Sequence, residues 1–232
     1  MHPDPFERRV MSKVTWRLIP FMCLCYLAAF IDRVNVSFAK LSMLVDLNMS
    51  QTVYATGAGI FFVGYFIFEV PSNLILERVG ARIWIARIMI LWGIISSSMM
   101  VVKSAWMFYV LRFFLGAAEA GFFPGMILYV TYWFPKAYRS RAVSLFMAAA
   151  VFSFVVGGPL SGMLMDHPQF GLRNWQWLFL AEGIPSVLLG VVVLAYLPNG
   201  PKQARWMAPE ELAWLTARPW RWPSSTSTTS RP

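Results

Sequence analysis

The chain has 232 residues, 58% of hydrophobic types and 13% charged, with a formal net charge of +9. A soluble domain is roughly 25% charged, and one core in so short a chain cannot hide this much apolar surface, so the composition excludes an ordinary water-soluble globule. The cations do not make it a nucleic-acid binder either, because they gather in short connections between apolar runs.

A membrane-crossing helix needs about 20 mostly apolar residues. Six such runs follow in order: residues 19–37, 53–75, 83–102, 106–129, 142–165 and 177–197. The first follows a charged segment and runs into Asp32 and Arg33 rather than a small-residue cleavage site, so it is expected to be a retained helix and not a signal peptide. It holds both cysteines, Cys23 and Cys25, which point in different directions on a helix. They are expected to be apolar fillers without a disulfide. The fourth run continues to Phe134 before Pro135 stops it, so it is read as one long helix with an open inner end. The predicted organisation is a cytoplasmic segment 1–18, a bundle 19–197, and a cytoplasmic remnant 198–232, all α-helical and membrane-integral.

Orientation follows from the cations. The amino-terminal segment, the second and fourth connections and the tail hold fifteen of the twenty Lys and Arg, among them Arg8, Lys13, Arg78, Arg82, Lys136 and Arg139; the opposite connections hold only Lys40, Lys103 and Arg173. Positive loops stay cytoplasmic, which places both termini inside a cell inner (plasma) membrane. Tryptophans such as Trp84, Trp106, Trp133 and Trp175 fall near the expected interfaces, where indole favours the headgroup layer.

Charges inside the runs need a reason, since each costs roughly 2.5–3.5 kcal/mol at the bilayer centre on insertion scales. The first run carries Asp32 and Arg33, the fourth Arg112 and Glu119, the second Glu69 and the sixth Glu182. Arg112 and Glu119 are two turns apart, roughly 10 Å along one stripe of a helix, with Gly116, Ala117 and Ala118 between them. That spacing leaves room for a ligand. Fully ionised, Asp32, Arg33, Arg112 and Glu119 sum to zero, and one added proton turns them into an anion-attracting +1 cluster. Structural ion pairs locking helices together are the alternative. Glu69 and Glu182 are expected to be structural, paired with a cytoplasmic or interfacial arginine.

Three stretches carry a family likeness: DRVNVSFA at 32–39, GYFIFEVPSNLILERVGAR at 64–82 and RFFLGAAEAGFFPG at 112–125. They resemble the anion:cation symporter family of the major facilitator superfamily, with the closest likeness to bacterial tartrate and aromatic-carboxylate carriers, over about residues 5–216. The resemblance implies six helices arranged as two inverted three-helix repeats, the amino-terminal half of a twelve-helix fold. It implies proton-coupled symport of a small carboxylate, with Asp32 and Glu119 as proton-coupling acids and Arg33, Tyr65 and Arg112 at the substrate. A guanidinium suits that task because its planar fork can bond a carboxylate twice. It further implies a gating loop containing Glu77, Arg78, Gly80 and Arg82. Here Asn73, Glu77 and Ala81 depart from the superfamily's usual glycine, aspartate and cation. Gly57, Gly59, Gly64, Gly157, Gly158 and Gly162 are expected at close helix contacts, with a possible bend at Pro159.

After Ala217 the sequence turns polar and low in complexity, as a disordered, truncated or frame-shifted end of a central cytoplasmic loop would. The expected partners are a carboxylate, protons, lipid, and either a second copy or a complementary half. A fragment that binds partners without transporting is the alternative. No catalytic group, metal site or cofactor is expected: His2 and His167 both lie outside the runs, where neither has a set of co-ligands.

Overall fold

The computed structural model describes residues 4–217, so the low-complexity end predicted at 218–232 lies outside the described residues. Eight α-helices follow in order: α1 Pro5–Asp46, α2 Gln51–Val79, α3 Ala81–Ser98, α4 Ala105–Glu119, α5 Phe122–Trp133, α6 Lys136–Asp166, α7 Asn174–Tyr196 and α8 Pro209–Ala217. With α3 extended by the 3-10 turn Met99–Val101, and α4 and α5 taken together, six units are long and apolar enough to cross a membrane. Cys23 and Cys25 are free thiols.

Local chemistry sets several helix starts. The Asp4 carboxylate accepts from the Phe6 N–H, with Pro5 at the first helical position. Ser50 caps α2 by accepting from Val53 N–H, and Ser104 caps α4 by accepting from Met107 N–H. These side chains satisfy amide donors that the first turn leaves without partners.

The first helix extends past its apolar run at both ends. Its 42 residues measure roughly 60 Å, about twice the hydrocarbon thickness. The extra inner turns carry Val10, Met11 and Val14, all buried, in the same core cluster as Leu215 of α8. Phe6 meets Trp214 edge-to-face at 6.4 Å, and Lys13 Nζ lies 2.7 Å from Glu211 Oε2. Trp206 stacks on Trp133 of α5 at 5.7 Å.

Two further expectations are corrected. The fourth run is two helices, not one. Gly121, at φ +85°, breaks it one turn before Pro124. The break is held from outside: Ser72 Oγ donates to Ala120 O at 2.7 Å, and Trp84 Nε1 donates to Ser72 Oγ at 3.0 Å. The expected loop at 73–82 is almost entirely helix. Glu77 and Arg78 lie in the last turn of α2, Arg82 in the first turn of α3, and Gly80 alone, at φ +95°, separates them. Asn199, beyond α7, accepts the Arg82 N–H at 3.1 Å and so caps α3.

The packing pattern carries the inverted repeat. Unit one packs on units five and six (α1 on α6 and α7), unit four on units two and three (α4 on α2 and α3), and unit three on unit six (α3 on α7). Exchanging units one to three for four to six maps this pattern onto itself, as inverted three-helix repeats require.

Two of these contacts bring backbones together through glycine. A Cβ at Gly64 of α2 would collide with Phe113 O of α4, and one at Gly116 of α4 with Phe61 O of α2. On the other side, a Cβ at Gly93 of α3 would stand 2.8 Å from Gly183 O of α7, and one at Gly183 would stand 2.9 Å from Gly93 O. Small residues permit this approach where lipid supplies no hydrophobic drive between helices. Gly57 and Gly157 also meet neighbours, but Gly59 and Gly162 face open space, and Gly158 has only an ordinary contact with Phe38. Those last three therefore do not serve the tight packing expected of them. Helix α6 runs through Pro159 without a break.

Gly116→Val and Gly183→Val are expected to destabilise the bundle by about 1–3 kcal/mol each, as overpacking does. Gly162→Val is expected to be neutral. Thermal melting of the detergent-solubilised protein measures the difference. The α8 latch should depend on pH. The hydrogen bond from Lys13, then that from the Ala208 N–H, holds the Glu211 carboxyl below the usual carboxylate range. A lowered carboxyl contributes fully above its unfolded value, roughly pH 4.3, and the contribution is lost as pH falls through the lowered folded value. Lys13→Met should therefore move release of α8 to higher pH, read as a change in tryptophan emission on acid titration.

Candidate functional site

Adjacent helix positions point about 100° apart, and this separates Asp32 from Arg33. Arg33 faces a cavity of about 190 Å³ walled by Tyr26, Ala29 and Phe30 of α1, Tyr65 of α2, Glu119 of α4, and Phe122 and Phe123 of α5. Asp32, 3% exposed, faces α3. There it accepts from Asn35 Nδ2 at 2.9 Å and from the Ser96 hydroxyl.

The cavity's charged element is the Arg33–Glu119 ion pair. Arg33 Nε donates to Glu119 Oε1 at 2.9 Å, and Arg33 Nη2 donates to the same oxygen. Both donors converge on Oε1, so the carboxylate is not gripped as a two-oxygen fork. Glu119 is the last residue of α4, and the break at 120–121 lets α5 turn away behind it. The guanidinium also lies 5.5 Å from the Tyr65 ring centre and 5.8 Å from that of Phe61. Such stacking favours a planar cation.

Arg112 lies elsewhere. It is 3% exposed, donates from Nε to Gly57 O at 3.3 Å, and sits 4.7 Å from the Phe61 ring centre. Phe61 thus lies near two guanidinium groups, that of Arg33 at 5.8 Å and that of Arg112 at 4.7 Å. Arg112 forms no salt bridge within 4 Å among the described residues and does not line the cavity, although it shares α4 with Glu119. Of the four charges expected as one cluster, only Arg33 and Glu119 meet at hydrogen-bonding distance, while Arg112 and Asp32 act on Glu119 through charge without touching it. Tyr65 stands on the cavity wall beside Arg33, whereas Glu77, Arg78, Gly80 and Arg82 gather at the α2–α3 junction away from it.

The aromatic lining escaped the sequence reading. Tyr26 packs against Phe146 at 4.6 Å and lies parallel to Phe122 at 6.5 Å, while Phe122 meets Trp92 edge-on at 4.9 Å. In a chain with 19 phenylalanines, no aromatic stands out until the fold selects some for the wall. Glu182 is corrected as well. It is 5% exposed and accepts from Ser161 Oγ at 2.7 Å rather than from an arginine. Glu69 is half-buried, and among the described residues it joins none of the three ion pairs. The third pair, Arg173–Asp46 at 3.3 Å, ties the connection before α7 to the end of α1, where Trp175 Nε1 also donates to Asp46 at 2.8 Å.

The family model for the Major Facilitator Superfamily matches residues 22–226. The chain is 58% identical to a putative metabolite transport protein, NicT, of Pseudomonas putida, covering 92% of this chain and 49% of that one. It is also 58% identical to a putative tartrate transporter of Agrobacterium vitis, covering 91% and 47%. The inner membrane transport protein RhmT of Escherichia coli is 42% identical, covering 87% and 47%. The chain thus spans about half the length of the curated relatives it matches. Its fold resembles that of a bacterial homologue of the human lysosomal transporter Spinster in an inward-facing, occupied conformation, with a TM-score of 0.69 at 18% identity, covering 85% of this chain and 45% of that one.

Breaking the cavity pair from one side should cost more than removing it whole. Arg33→Met leaves the Glu119 charge unpaired and Glu119→Gln leaves the Arg33 charge unpaired, whereas the double variant carries neither charge. A double-mutant cycle on thermal stability should give a favourable coupling of about 1–3 kcal/mol. Additive single effects would show that the two side chains do not interact.

Proposed function

The chain belongs to the major facilitator superfamily, and on that premise we propose that it is the amino-terminal half of a secondary transporter for small organic anions, coupled to protons. The observation that carries this is Arg33, a guanidinium held by one oxygen of Glu119 on the wall of an aromatic-lined cavity. An entering carboxylate competes with Glu119 for that guanidinium. A proton on Glu119 weakens its hold and leaves the cavity with a net positive charge, so proton and anion binding favour each other. Arg112, near Phe61, adds positive potential to the same region without touching the cavity. Tyr65 supplies a hydroxyl and a ring face beside Arg33, and Tyr26, Phe30, Phe122 and Phe123 offer apolar surface to an aromatic or short aliphatic acid.

The substrate class is a small carboxylate of the tartrate-like or aromatic kind; the tartrate-like option is in keeping with the name of the Agrobacterium vitis relative. We place the protein in the inner membrane with both termini cytoplasmic, from the one-sided distribution of Lys and Arg. The proposed domains are the inner segment 1–18, the bundle 19–197 and the loop remnant 198–232. The junction of Glu77, Arg78, Gly80 and Arg82 is the proposed gating element, since a single glycine couples the tilt of α2 to that of α3. Alternating access rocks two six-helix halves about the site, so a second copy or a complementary half completes the carrier.

Reconstitution of the chain in vesicles with an imposed pH gradient, using tartrate and benzoate as probes, tests this. Uptake should follow the gradient. Asp32→Asn and Glu119→Gln should each abolish the gradient dependence, and Arg33→Lys should reduce uptake about tenfold, the equivalent of 1.4 kcal/mol. Gradient-driven uptake unchanged in both acid variants would refute proton coupling through these residues. No uptake by the chain alone, with only random aggregates on crosslinking, would favour a fragment that binds partners without transporting.

A further inference from the structure

A second polar cluster lies apart from the cavity, among α1, α3, α6 and α7. It contains Asp32 and Asn35 from α1, Trp92 and Ser96 from α3, Ser161 from α6, and Glu182 from α7. The six residues are at most 5% exposed. Asp32 and Glu182 both face it, and neither has a basic residue within 4 Å: the ion pairs of the described residues are Lys13–Glu211, Arg33–Glu119 and Arg173–Asp46. Glu119, committed to Arg33, and Arg112, which forms no salt bridge with Asp32, also act on Asp32 from a distance. Two carboxylates without a counter-cation in contact do not both stay ionised in a low-dielectric interior.

Hydrogen-bond donors distinguish the two acids. Asp32 receives Asn35 Nδ2 and Ser96 Oγ on Oδ1, and Trp92 Nε1, which closes no hydrogen bond elsewhere, is turned toward the same carboxyl. Glu182 receives Ser161 on Oε1, the Asn35 side chain also approaches it, and its Oε2 is buried without a hydrogen bond. The Asn35 amide lies between the two acids, and its Oδ1 is a buried acceptor with no donor. An ionised Glu182 can only accept, so it cannot satisfy that oxygen. A protonated Glu182 carries one O–H donor on the oxygen that Ser161 leaves free.

We propose that Glu182 is a third proton-binding carboxyl, holding its proton on Oε2, the oxygen that Ser161 leaves free, at neutral pH. This leaves Asp32, whose Oδ1 accepts from Asn35 and Ser96, as the anion of the pair. Glu182 is then a positioning residue that sets which acid is free to take up the coupled proton. In its functional consequence the proposal rests on the proton-coupled reading of Asp32. The proton itself is detectable without any transport.

Infrared spectroscopy of the purified chain in detergent or lipid at neutral pH reads the protonated-carboxyl C=O stretch directly. The wild type should show such a band, shifting slowly on transfer to deuterated water because the group is buried. Glu182→Gln, which preserves shape and can still accept from Ser161, should remove it. Asp32→Asn should keep it. A band lost in Asp32→Asn but kept in Glu182→Gln would place the proton on Asp32 and overturn the assignment. So would a wild type that lacks any variant-sensitive band. A band that disappears when sodium replaces choline in the buffer would show a metal cation in place of the proton, and would also overturn it. If the infrared result holds while vesicle uptake shows no pH dependence, the proton site stands and the coupling reading fails.

Discussion

Arg33 and Glu119 meet across the two halves of the repeat, since α1 opens the first three-helix unit and α4 the second. Hydrocarbon offers no water to solvate either group, so each charge has to be answered by protein. The pair answers both while remaining at the edge of a cavity. A partly buried pair of this kind, with Glu119 enclosed and Arg33 open to the cavity, is weak evidence for stability, because desolvation offsets much of the attraction. It is better suited to a site that an outside anion and a proton can rearrange.

The surrounding architecture follows from keeping that pair in place. Glycine contacts press α2 against α4 and α3 against α7 until backbones touch. The remaining space collects between α1, α4 and α5, where Tyr26, Phe122 and Phe123 are too bulky to close it. The break at Ala120–Gly121 contributes as well. A continuous helix would carry the backbone straight past Glu119, whereas Ser72 and Trp84 hold the turn that ends α4 at that residue.

Asp32 illustrates how one residue step changes chemistry. It adjoins Arg33 in sequence, yet it belongs to another cluster with Ser96, Asn35 and Glu182 within reach. Two acids and two arginines that sum to zero on paper make three sets of contacts in space, while acting on one another through charge. Only one of these, the Arg33–Glu119 pair, has both charges matched at hydrogen-bonding distance.

Sequence alone determined what depends on composition and period. Long apolar runs must be membrane helices because no other open structure satisfies its backbone in lipid, and the acids and arginines within them stood out because lipid makes them costly. Motif likeness supplied the family and the choice of Asp32, Arg33, Tyr65, Arg112 and Glu119. Tertiary structure alone decided which of those charges meet. Two residues on one helix stripe, such as Arg112 and Glu119, need not share a partner when a neighbouring helix offers Gly57 O to one and Arg33 to the other. The break at Gly121, the one-residue junction at Gly80 and the serine partner of Glu182 were likewise not legible. Each is held by side chains distant in sequence, Ser72, Asn199 and Ser161, and a linear pattern records no distance between helices.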